Sequence, residues 1–370
     1  MTIVRVAGAL ALGVMALCAW GGSGEARTIT DALGRQVAVP DTVDRVICSG
    51  PGCLRLLVYL QAQDLVVGVD SVEKQNMNIE TRPYAVANPQ LQHLPLIGEP
   101  RGQDNPELIA TLSPRPQVIF KTYPTMGHDP QALSDKTGIP VVALDYGNLT
   151  AGRAELDRTL LLMGTIIGKE ERARAVVDFF DARRSDLLAR VEGEASRNTT
   201  TCYIGGLSMR GGHGLQSTDP SYAPFAFVAA VNVAAAGASQ ETALSHASVS
   251  REQILAWDPE YIFLDASTTL LEGPASGLFE LINNPIYSGL RAVRSGRVFG
   301  VLSCNAYAQN FGSVLANAYY VGKTVYPDRF RDVDPAGLAD EVFSFLLGAP
   351  VFRQLNTTAR DIIFSTALDK

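Results

Sequence analysis

Histidine is scarce in this chain, which has four in 370 residues. A cage of imidazoles around a bare metal ion needs several histidines at one point, so the sequence offers few ligands of that kind. Basic residues are also in deficit, because 31 Lys+Arg face 38 Asp+Glu and leave a net charge of -7. Phosphate binding needs a basic surface, and this balance argues against a nucleic-acid partner. Five cysteines are too few for a disulfide scaffold in a chain of this length.

Long hydrophobic runs are missing after the first 26 residues, where nothing approaches the ~18 apolar residues of a membrane span. The N-terminus itself has Arg5, an apolar run over 6–20 and a stretch of small residues that ends at Ala26. This order is typical of a secretory signal peptide, and we expect cleavage after Ala26 and an exported protein. A lipid anchor on Cys18 is the alternative, but the bulky Leu17 precedes it where a small residue is expected.

Four cysteines remain after cleavage, and export to an oxidising compartment permits disulfides. Cys48 and Cys53 flank a Ser-Gly-Pro-Gly turn, and we expect a local disulfide between them. Ligation of a metal by these thiolates is the alternative. The sequence leaves open whether Cys202 and Cys304 form a pair or are buried as separate thiols.

Short apolar segments alternate with segments of helical periodicity in both halves of the chain. Residues 28–40 alternate around Gly34 as in a hairpin, and apolar strands are expected at 45–48, 65–69, 117–120, 140–144, 201–204, 261–265 and 298–301. Strands alternating with helices predict parallel sheets covered on both faces. Between the halves, 151–167 and 169–192 are helical, with Gly168 as the interruption. We interpret them as a brace between two lobes, an ordinary packing helix being the alternative.

These elements divide the chain into four predicted parts. They are a signal peptide at 1–26, an N-terminal α/β lobe at 27–149, a helical connector at 150–197, and a C-terminal α/β lobe with closing helices at 198–370.

Several motifs then carry a family resemblance. They are Ile-Thr-Asp-Ala-Leu-Gly-Arg at 29–35, Arg-Val-Ile at 45–47, the Asn-Pro-Glu-Leu-Ile segment from 105 to 119, Val-Ser-Arg-Glu-Gln-Ile-Leu from 249 onwards, and Tyr-Pro-Asp-Arg-Phe at 326–330. In this order they resemble periplasmic substrate-binding proteins for iron–siderophore complexes and cobalamin, over nearly the whole mature chain. The resemblance implies the TroA-like, class III fold, with two Rossmann-like lobes and parallel sheets joined by a long rigid α-helix.

The resemblance also implies a function and partners. It predicts a monomeric binding component of an ABC importer rather than an enzyme, which delivers a small metal chelate to an inner-membrane permease and holds no cofactor of its own. A ferric siderophore is the leading ligand, with cobalamin and haem as alternatives. Cobalamin is disfavoured because Ala247 and Ser248 stand where the family's cobalamin binder presents a tryptophan.

One glutamate in each lobe matches the family's permease-docking positions, Glu107 and Glu252. Both come near the start of short helices, where a carboxylate is also favoured by the helix dipole, so helix capping is the alternative role.

Candidate ligand residues follow the predicted strands, because parallel sheets bind ligands beyond the carboxyl ends of their strands. Residues 205–214 contain five glycines, which let backbone N–H groups approach a ligand closely. Cations favour an anionic ligand, and tyrosines stack on a chelate or coordinate a hard metal. A plain surface loop and ordinary packing are the alternatives. The candidates are Lys121, Tyr123, Ser208, Arg210, His213, Thr218, Tyr222, Asn305 and Tyr307.

Two other classes of protein are alternatives to the capture of a ligand. A secreted serine hydrolase would use Ser208 or Ser303 with His213, but the segment around Ser208 lacks the final glycine of a Gly-x-Ser-x-Gly elbow. An exported scaffold module predicts no deep cleft.

Overall fold

A parallel β-sheet forms the centre of each half of the molecule, and helices pack around both sheets. The computed structural model describes residues 26–75, 80–194, 199–208, 211–235 and 246–368. Residues 1–25 of the predicted signal peptide 1–26, and Arg210 of the glycine-rich segment, lie outside the described residues.

The N-terminal half begins with the predicted hairpin, in which β1 (Ala26–Thr30) pairs antiparallel with β2 (Gln36–Pro40). The strands that follow are β3 (Val46–Ser49), β4 (Val69–Asp70), β5 (Leu96–Glu99), β6 (Gln103–Asp104), β7 (Val118–Thr122) and β8 (Val141–Leu144). Strands β3, β7 and β8 form a parallel sheet in which every residue is buried. Strands β4, β5 and β6 form a second sheet that a bridge between Val46 and Val66 joins to the first.

Short helices cover this half. They are α1 (Cys53–Tyr59), α2 (Pro83–Ala87), α3 (Pro106–Ala110) and α4 (Pro130–Thr137). A proline in the first turn of α2, α3 and α4 has no N–H to leave unpaired there, which suits a helix start. The strand expected at 65–69 is wrong in its first part, because Gln63–Leu65 is a 3₁₀ turn.

The connector consists of two helices, α5 (Arg153–Ile167) and α6 (Glu170–Arg190), with Gly168 in the left-handed conformation between them. Helix α6 contacts both halves. The guanidinium of Arg172, near its start, donates to the carbonyl of Tyr59, and that of Arg190, at its end, pairs with Asp332. Because α6 is bound to both halves through these contacts, it can act as a brace between the lobes.

The C-terminal half repeats the architecture. Its strands are β9 (Thr201–Gly205), β10 (Ser217–Thr218), β11 (Val231–Asn232), β12 (Ala247–Ser248), β13 (Tyr261–Asp265) and β14 (Val298–Val301). Four of them form a parallel sheet in the order β11-β9-β13-β14, and β10 pairs antiparallel with β12. Its helices are α7 (Ala223–Phe227), α8 (Arg251–Trp257), α9 (Ala266–Thr269), α10 (Gly277–Asn283), α11 (Arg291–Arg294), α12 (Phe311–Val325), α13 (Pro335–Leu347) and α14 (Phe352–Thr358).

Helix α12 lies at the centre of the molecule, and its residues 311–322 are all buried. It packs against α6, α7 and α13, and α13 in turn contacts α1 of the other lobe. The two lobes therefore share one hydrophobic core, which includes Leu57 from one and Leu315 from the other. Within the described residues no single helix meets the length and hydropathy of a membrane span; α13 and α14 meet them only as a pair bent by 113°.

Candidate ligand site between the lobes

A cavity of ≈ 210 Å³ lies between the lobes, at the carboxyl ends of the strands of both parallel sheets. Strands β7, β8, β9 and β14 each lead into it, as the geometry of parallel sheets predicts. The described residues that line it are Tyr123, Tyr146, Gly147, Asn148, Leu207, Ser208, Asp219, Tyr222, His246, Cys304, Asn305, Ala308 and Gln309.

Stacked aromatic rings form the N-terminal wall. Tyr123 stacks on Tyr146 with 5.7 Å between ring centroids, and Tyr146 stacks on Phe311 of α12 at 5.2 Å. The Tyr123 side chain is 38% exposed, and partial burial raises the pKa of its hydroxyl to about 12. At Gly52, φ is 74° and a Cβ would lie 2.3 Å from the Tyr146 ring, so this position requires glycine. Tyr123 thus presents a neutral ring and hydroxyl to the cavity.

The guanidinium of Arg55 fixes the lower edge of that wall. It is 1% exposed, and it donates to the Tyr146 hydroxyl at 2.5 Å and to the backbone carbonyls of Ala306 and Gln309. Arg55 belongs to α1 and the carbonyls belong to the other lobe, so this cation joins the lobes beneath the cavity. Its Nη1 and Nη2 groups thus donate to the Tyr146 hydroxyl and to carbonyl oxygens.

The C-terminal wall presents uncharged polar groups. Ser208 is half-buried and donates weakly to the carbonyl of Gly211, and Asn305 is exposed beside it. At Gly206, φ is 74°, and the turn that follows β9 brings Ser208 to the cavity. The glycine-rich segment therefore places one hydroxyl at the site, as the sequence predicted for Ser208.

His246 reaches the cavity from the position just before β12, and its protonation can be assigned from its neighbours. The Ser217 hydroxyl has one hydrogen and donates it to the carbonyl of Leu207 at 2.7 Å. The contact of 2.8 Å between Ser217 Oγ and His246 Nε2 must then have the imidazole N–H as donor. Burial and the nearby His213 ring lower the pKa of His246, so at neutral pH its Nδ1 carries a lone pair.

Asp219 supplies a carboxyl group to the same cavity. Its Oδ1 accepts hydrogen bonds from the Ser221 backbone N–H at 2.8 Å and from the Ser221 hydroxyl at 2.9 Å. Burial raises the pKa of Asp219 to about 6, and these hydrogen bonds oppose the increase.

Lys121 is not at the site, and its interpretation as a cleft cation is wrong. The ammonium is 0% exposed and forms an ion pair with Asp104 at 3.3 Å, while the hydroxyl of Ser49 lies 3.1 Å away. Its strand, β7, is buried on both faces, so a side chain in that strand points into a protein layer rather than into the cleft.

Four further candidates lie at or near the cavity in other roles. Thr218 is 0% exposed beneath it, Tyr222 lines its floor and accepts a hydrogen bond from Asn317, and His213 lies against the His246 ring. Tyr307 reaches across to the other lobe, where its hydroxyl donates to Asp70 at 2.6 Å. Of the candidates, the structure brings Tyr123, Ser208, Tyr222 and Asn305 to the cavity itself.

The disulfide expected between Cys48 and Cys53 is absent: all four cysteines of the described chain are free, buried thiols. The Cys53 thiol points at the Phe120 carbonyl, 3.4 Å away on β7. The pKa of Cys48 is raised by burial and by a hydrogen bond with Cys53, which keeps it a thiol rather than a thiolate. Among the described residues no three His, Cys, Asp or Glu side chains meet in an arrangement that could hold a metal ion.

Glu107 and Glu252 are exposed in the first turns of α3 and α8. The side chains that cap these helices are those of Asn105, which accepts from Leu108 N–H, and Ser250, which accepts from Gln253 N–H. Neither glutamate carboxylate forms an ion pair within the described residues. Side-chain capping therefore does not account for them.

The sequence did not indicate several lining residues, above all Tyr146, Asp219 and His246. Tyr146 could have been predicted, since it follows the strand expected at 140–144. Asp219 and His246 come from the ends of β10 and β12, which have two residues each and therefore no periodicity to detect.

The sequence profile of the periplasmic binding proteins matches residues 46–303. This is most of the chain. The protein belongs to the periplasmic binding protein family.

The molybdate-binding protein MolA of Haemophilus influenzae is 25% identical to this periplasmic binding protein over 329 residues, 83% of this chain and 87% of MolA. Its solved structure with molybdate has a TM-score of 0.66 and 21% identity, over 88% of this chain and 98% of that one. A periplasmic solute-binding protein of Veillonella parvula gives a TM-score of 0.68 at 18% identity, over 90% and 97% of the two chains. A TroA-like periplasmic binding protein, FepB of Veillonella parvula, gives 0.64 at 21%, over 87% and 96%.

These likenesses confirm the predicted TroA-like fold and the family. The protein is a periplasmic substrate-binding component of an ABC importer and not an enzyme. The ferric siderophore, the permease-docking glutamates and the signal peptide stay predictions.

Proposed function

We propose that this periplasmic binding protein captures a small oxyanion of the molybdate class between its lobes and presents it to the permease of an ABC importer. The observation that carries the proposal is the size of the cavity, ≈ 210 Å³. Drug-sized ligands occupy roughly 300–1,000 Å³. At ~30 Å³ for one water molecule, the cavity suits a tetrahedral oxyanion with a few waters.

The chemistry of the lining supports the same ligand class. Tyr123, Ser208, Asn305 and Gln309 offer neutral hydroxyl and amide donors. Hydrogen bonds from neutral donors to an ionised acceptor are stronger than neutral pairs, and they hold a buried anion without a counter-ion. Arg55 adds a positive potential from beneath Tyr146, at the floor of the N-terminal wall.

MolA supports the choice among oxyanions, since it is named as a molybdate binder and matches 83% of this chain at 25% identity. We therefore assign the same ligand class to this protein, whose cavity of ≈ 210 Å³ has room for a tetrahedral oxyanion.

The same cavity volume disfavours the ferric siderophore predicted from the sequence. A ferric siderophore has several dozen non-hydrogen atoms, and the cavity lies below the range for drug-sized ligands. Such a ligand would require the lobes to separate. The contacts of Arg55 with Ala306 and Gln309 oppose that separation.

A thermal-shift and calorimetric panel tests the proposal. The purified protein is challenged with molybdate, tungstate, sulfate, a ferric catecholate, haem and cobalamin. Molybdate is expected to raise the melting temperature, because a ligand at a hundredfold excess over Kd adds about 2.7 kcal/mol to the free energy of unfolding. Stabilisation by a ferric chelate with no response to molybdate would contradict the proposal.

A matched pair of variants places the ligand in the cavity. Ser208→Ala removes a lining hydroxyl, and Ser288→Ala removes an exposed hydroxyl elsewhere on the C-terminal lobe. We expect about tenfold weaker molybdate binding for Ser208→Ala, since a hydrogen bond to a charged group contributes about 1.5–3 kcal/mol, and no change for Ser288→Ala.

A further inference from the structure

Asp219 is the one lining residue, among those the structure describes, that carries a charge at neutral pH. Burial raises the pKa of Tyr123 to about 12 and raises the pKa values of the Tyr146 and Tyr222 hydroxyls and of the Cys304 thiol as well. His246 is neutral because its pKa is lowered. Among the described lining residues, the charge that faces an arriving ligand is therefore negative.

The position of the carboxyl group is fixed. The Asp219 carbonyl accepts a hydrogen bond from the Asn232 side chain at 2.9 Å, and Oδ1 is held by Ser221. No hydrogen bond to Oδ2 is found in the described part of the chain. This second oxygen is thus the one left to meet a ligand in the cavity that Asp219 lines.

Charged groups near Asp219 do not neutralise it. Within the described residues it forms no ion pair. Arg55 donates its hydrogen bonds to carbonyls and to the Tyr146 hydroxyl. Asp265 lies behind Cys304, and the His213 ring lies beyond His246.

An ionised Asp219 and a doubly charged oxyanion in the same cavity repel each other strongly, because the surroundings are partly buried. A proton on Oδ2 removes the repulsion and converts the oxygen into a donor. Burial already raises the pKa of the Asp219 carboxyl group to about 6, so its protonation near neutral pH costs little free energy. The bound anion raises that pKa further.

We propose that Asp219 takes up one proton from solvent at Oδ2 when the oxyanion binds, and then donates that hydrogen to a ligand oxygen. This inference rests on the proposed function. It makes Asp219 a determinant of specificity: capture is coupled to proton uptake, and anion affinity falls as the pH rises.

Calorimetric titration of molybdate into the wild-type protein tests the coupling, between about pH 6 and pH 8.5 and in buffers of different ionisation enthalpy. We expect Kd to rise by up to tenfold per pH unit, with uptake of about one proton per molybdate. Asp219→Asn should bind molybdate more tightly than the wild type at the alkaline end, with a nearly flat pH profile. Its amide keeps an oxygen for Ser221 and offers an N–H to the ligand.

Two controls complete the experiment. Asp328→Asn removes the same charge from an exposed position and should keep the wild-type profile. His246→Gln measures any share of proton uptake at the imidazole Nδ1.

The outcomes separate the two proposals. Molybdate binding whose pH profile is the same in Asp219→Asn, or Asp219→Asn binding that is weaker at every pH, overturns the role of Asp219 and leaves the proposed function standing. A wild-type protein that does not bind molybdate at any pH overturns the proposed function and this inference with it.

Discussion

The hydroxyl of Tyr307 donates a hydrogen bond of 2.6 Å to the carboxylate of Asp70, from one lobe to the other and across 237 positions of sequence. The same hydroxyl accepts from the backbone N–H of Arg101 at 2.8 Å. Tyr307 has a positive φ of 51°, a conformation that costs energy in a non-glycine residue. The loop that lines the cavity on the C-terminal side is therefore held in place by the N-terminal lobe.

Tyr307→Phe is expected to lower the free energy of unfolding by about 1–3 kcal/mol, because it removes the Tyr307 hydrogen bond to Oδ2 of the buried Asp70 carboxylate, while Oδ1 keeps the Val72 N–H. Tyr261→Phe is the matched control, since no hydrogen bond of the Tyr261 hydroxyl is found in the described chain. Urea denaturation of both variants measures the difference. Equal stabilities for the two would contradict the role of Tyr307 as a link between the lobes.

Lys121→Met is expected to lower the free energy of unfolding by about 3–5 kcal/mol, since it leaves the buried carboxylate of Asp104 unpaired. The double variant Lys121→Met/Asp104→Leu should recover part of the loss, because neither charge is then buried alone. Folded Lys121→Met should bind molybdate as the wild type does. If Lys121→Met has normal stability but binds molybdate more weakly, Lys121 belongs to the ligand site and the structural role is contradicted.

The stability of the protein should depend on pH through buried carboxyl groups whose pKa values are raised, among them Asp70, Asp219 and Asp265. Burial raises the pKa of each to about 6 in the folded protein, above the ordinary value of 3.8. The stability they contribute is present at low pH and is lost as the pH rises through about 6. His246, with a lowered pKa, opposes this trend below its ordinary pKa.

Urea unfolding should therefore show a larger free energy at about pH 5.5 than at about pH 7.5. Asp265→Asn, at the most deeply buried of the three positions, should reduce the difference. A stability that rises steadily from acid to neutral pH would contradict the assignment of raised pKa values.

Permease docking is tested with Glu107→Ala/Glu252→Ala, which removes one exposed carboxylate from each lobe. We expect molybdate uptake by cells, measured by elemental mass spectrometry, to be lost while the affinity of the purified protein for molybdate is retained. Glu170→Ala/Glu171→Ala is the matched control, because it removes two carboxylates from the first turn of the connector helix α6. Uptake that survives the first pair, or fails equally with the second, would contradict the docking role.

Most of the fold could be predicted from the sequence because its strands are short, apolar and buried on both faces. The segments at 117–120 and 140–144 were predicted as strands for that reason, and they correspond to β7 and β8. Their order along the chain also located the cavity, since parallel strands present their carboxyl ends on one side. Tyr123 and Asn305 were found by that rule.

The rest of the site depends on partners that are distant in sequence. Lys121 lies at the carboxyl end of a strand, as Tyr123 does, and was predicted on the same ground. Its ammonium is neutralised by Asp104 of the antiparallel β6, a strand that the hydrophobic pattern did not indicate. Asp219 and His246 meet at the cavity through the pairing of β10 with β12. No local pattern encodes that pairing, because each strand is two residues long.

Anomalous diffraction at the molybdenum absorption edge, from crystals grown with molybdate, tests directly whether the cavity between the lobes holds the oxyanion. We expect one strong peak in the cavity between the lobes, with the molybdate oxygens within hydrogen-bond distance of Tyr123, Ser208 and Asn305. An empty cavity at saturating molybdate, or a peak confined to another surface, would contradict it.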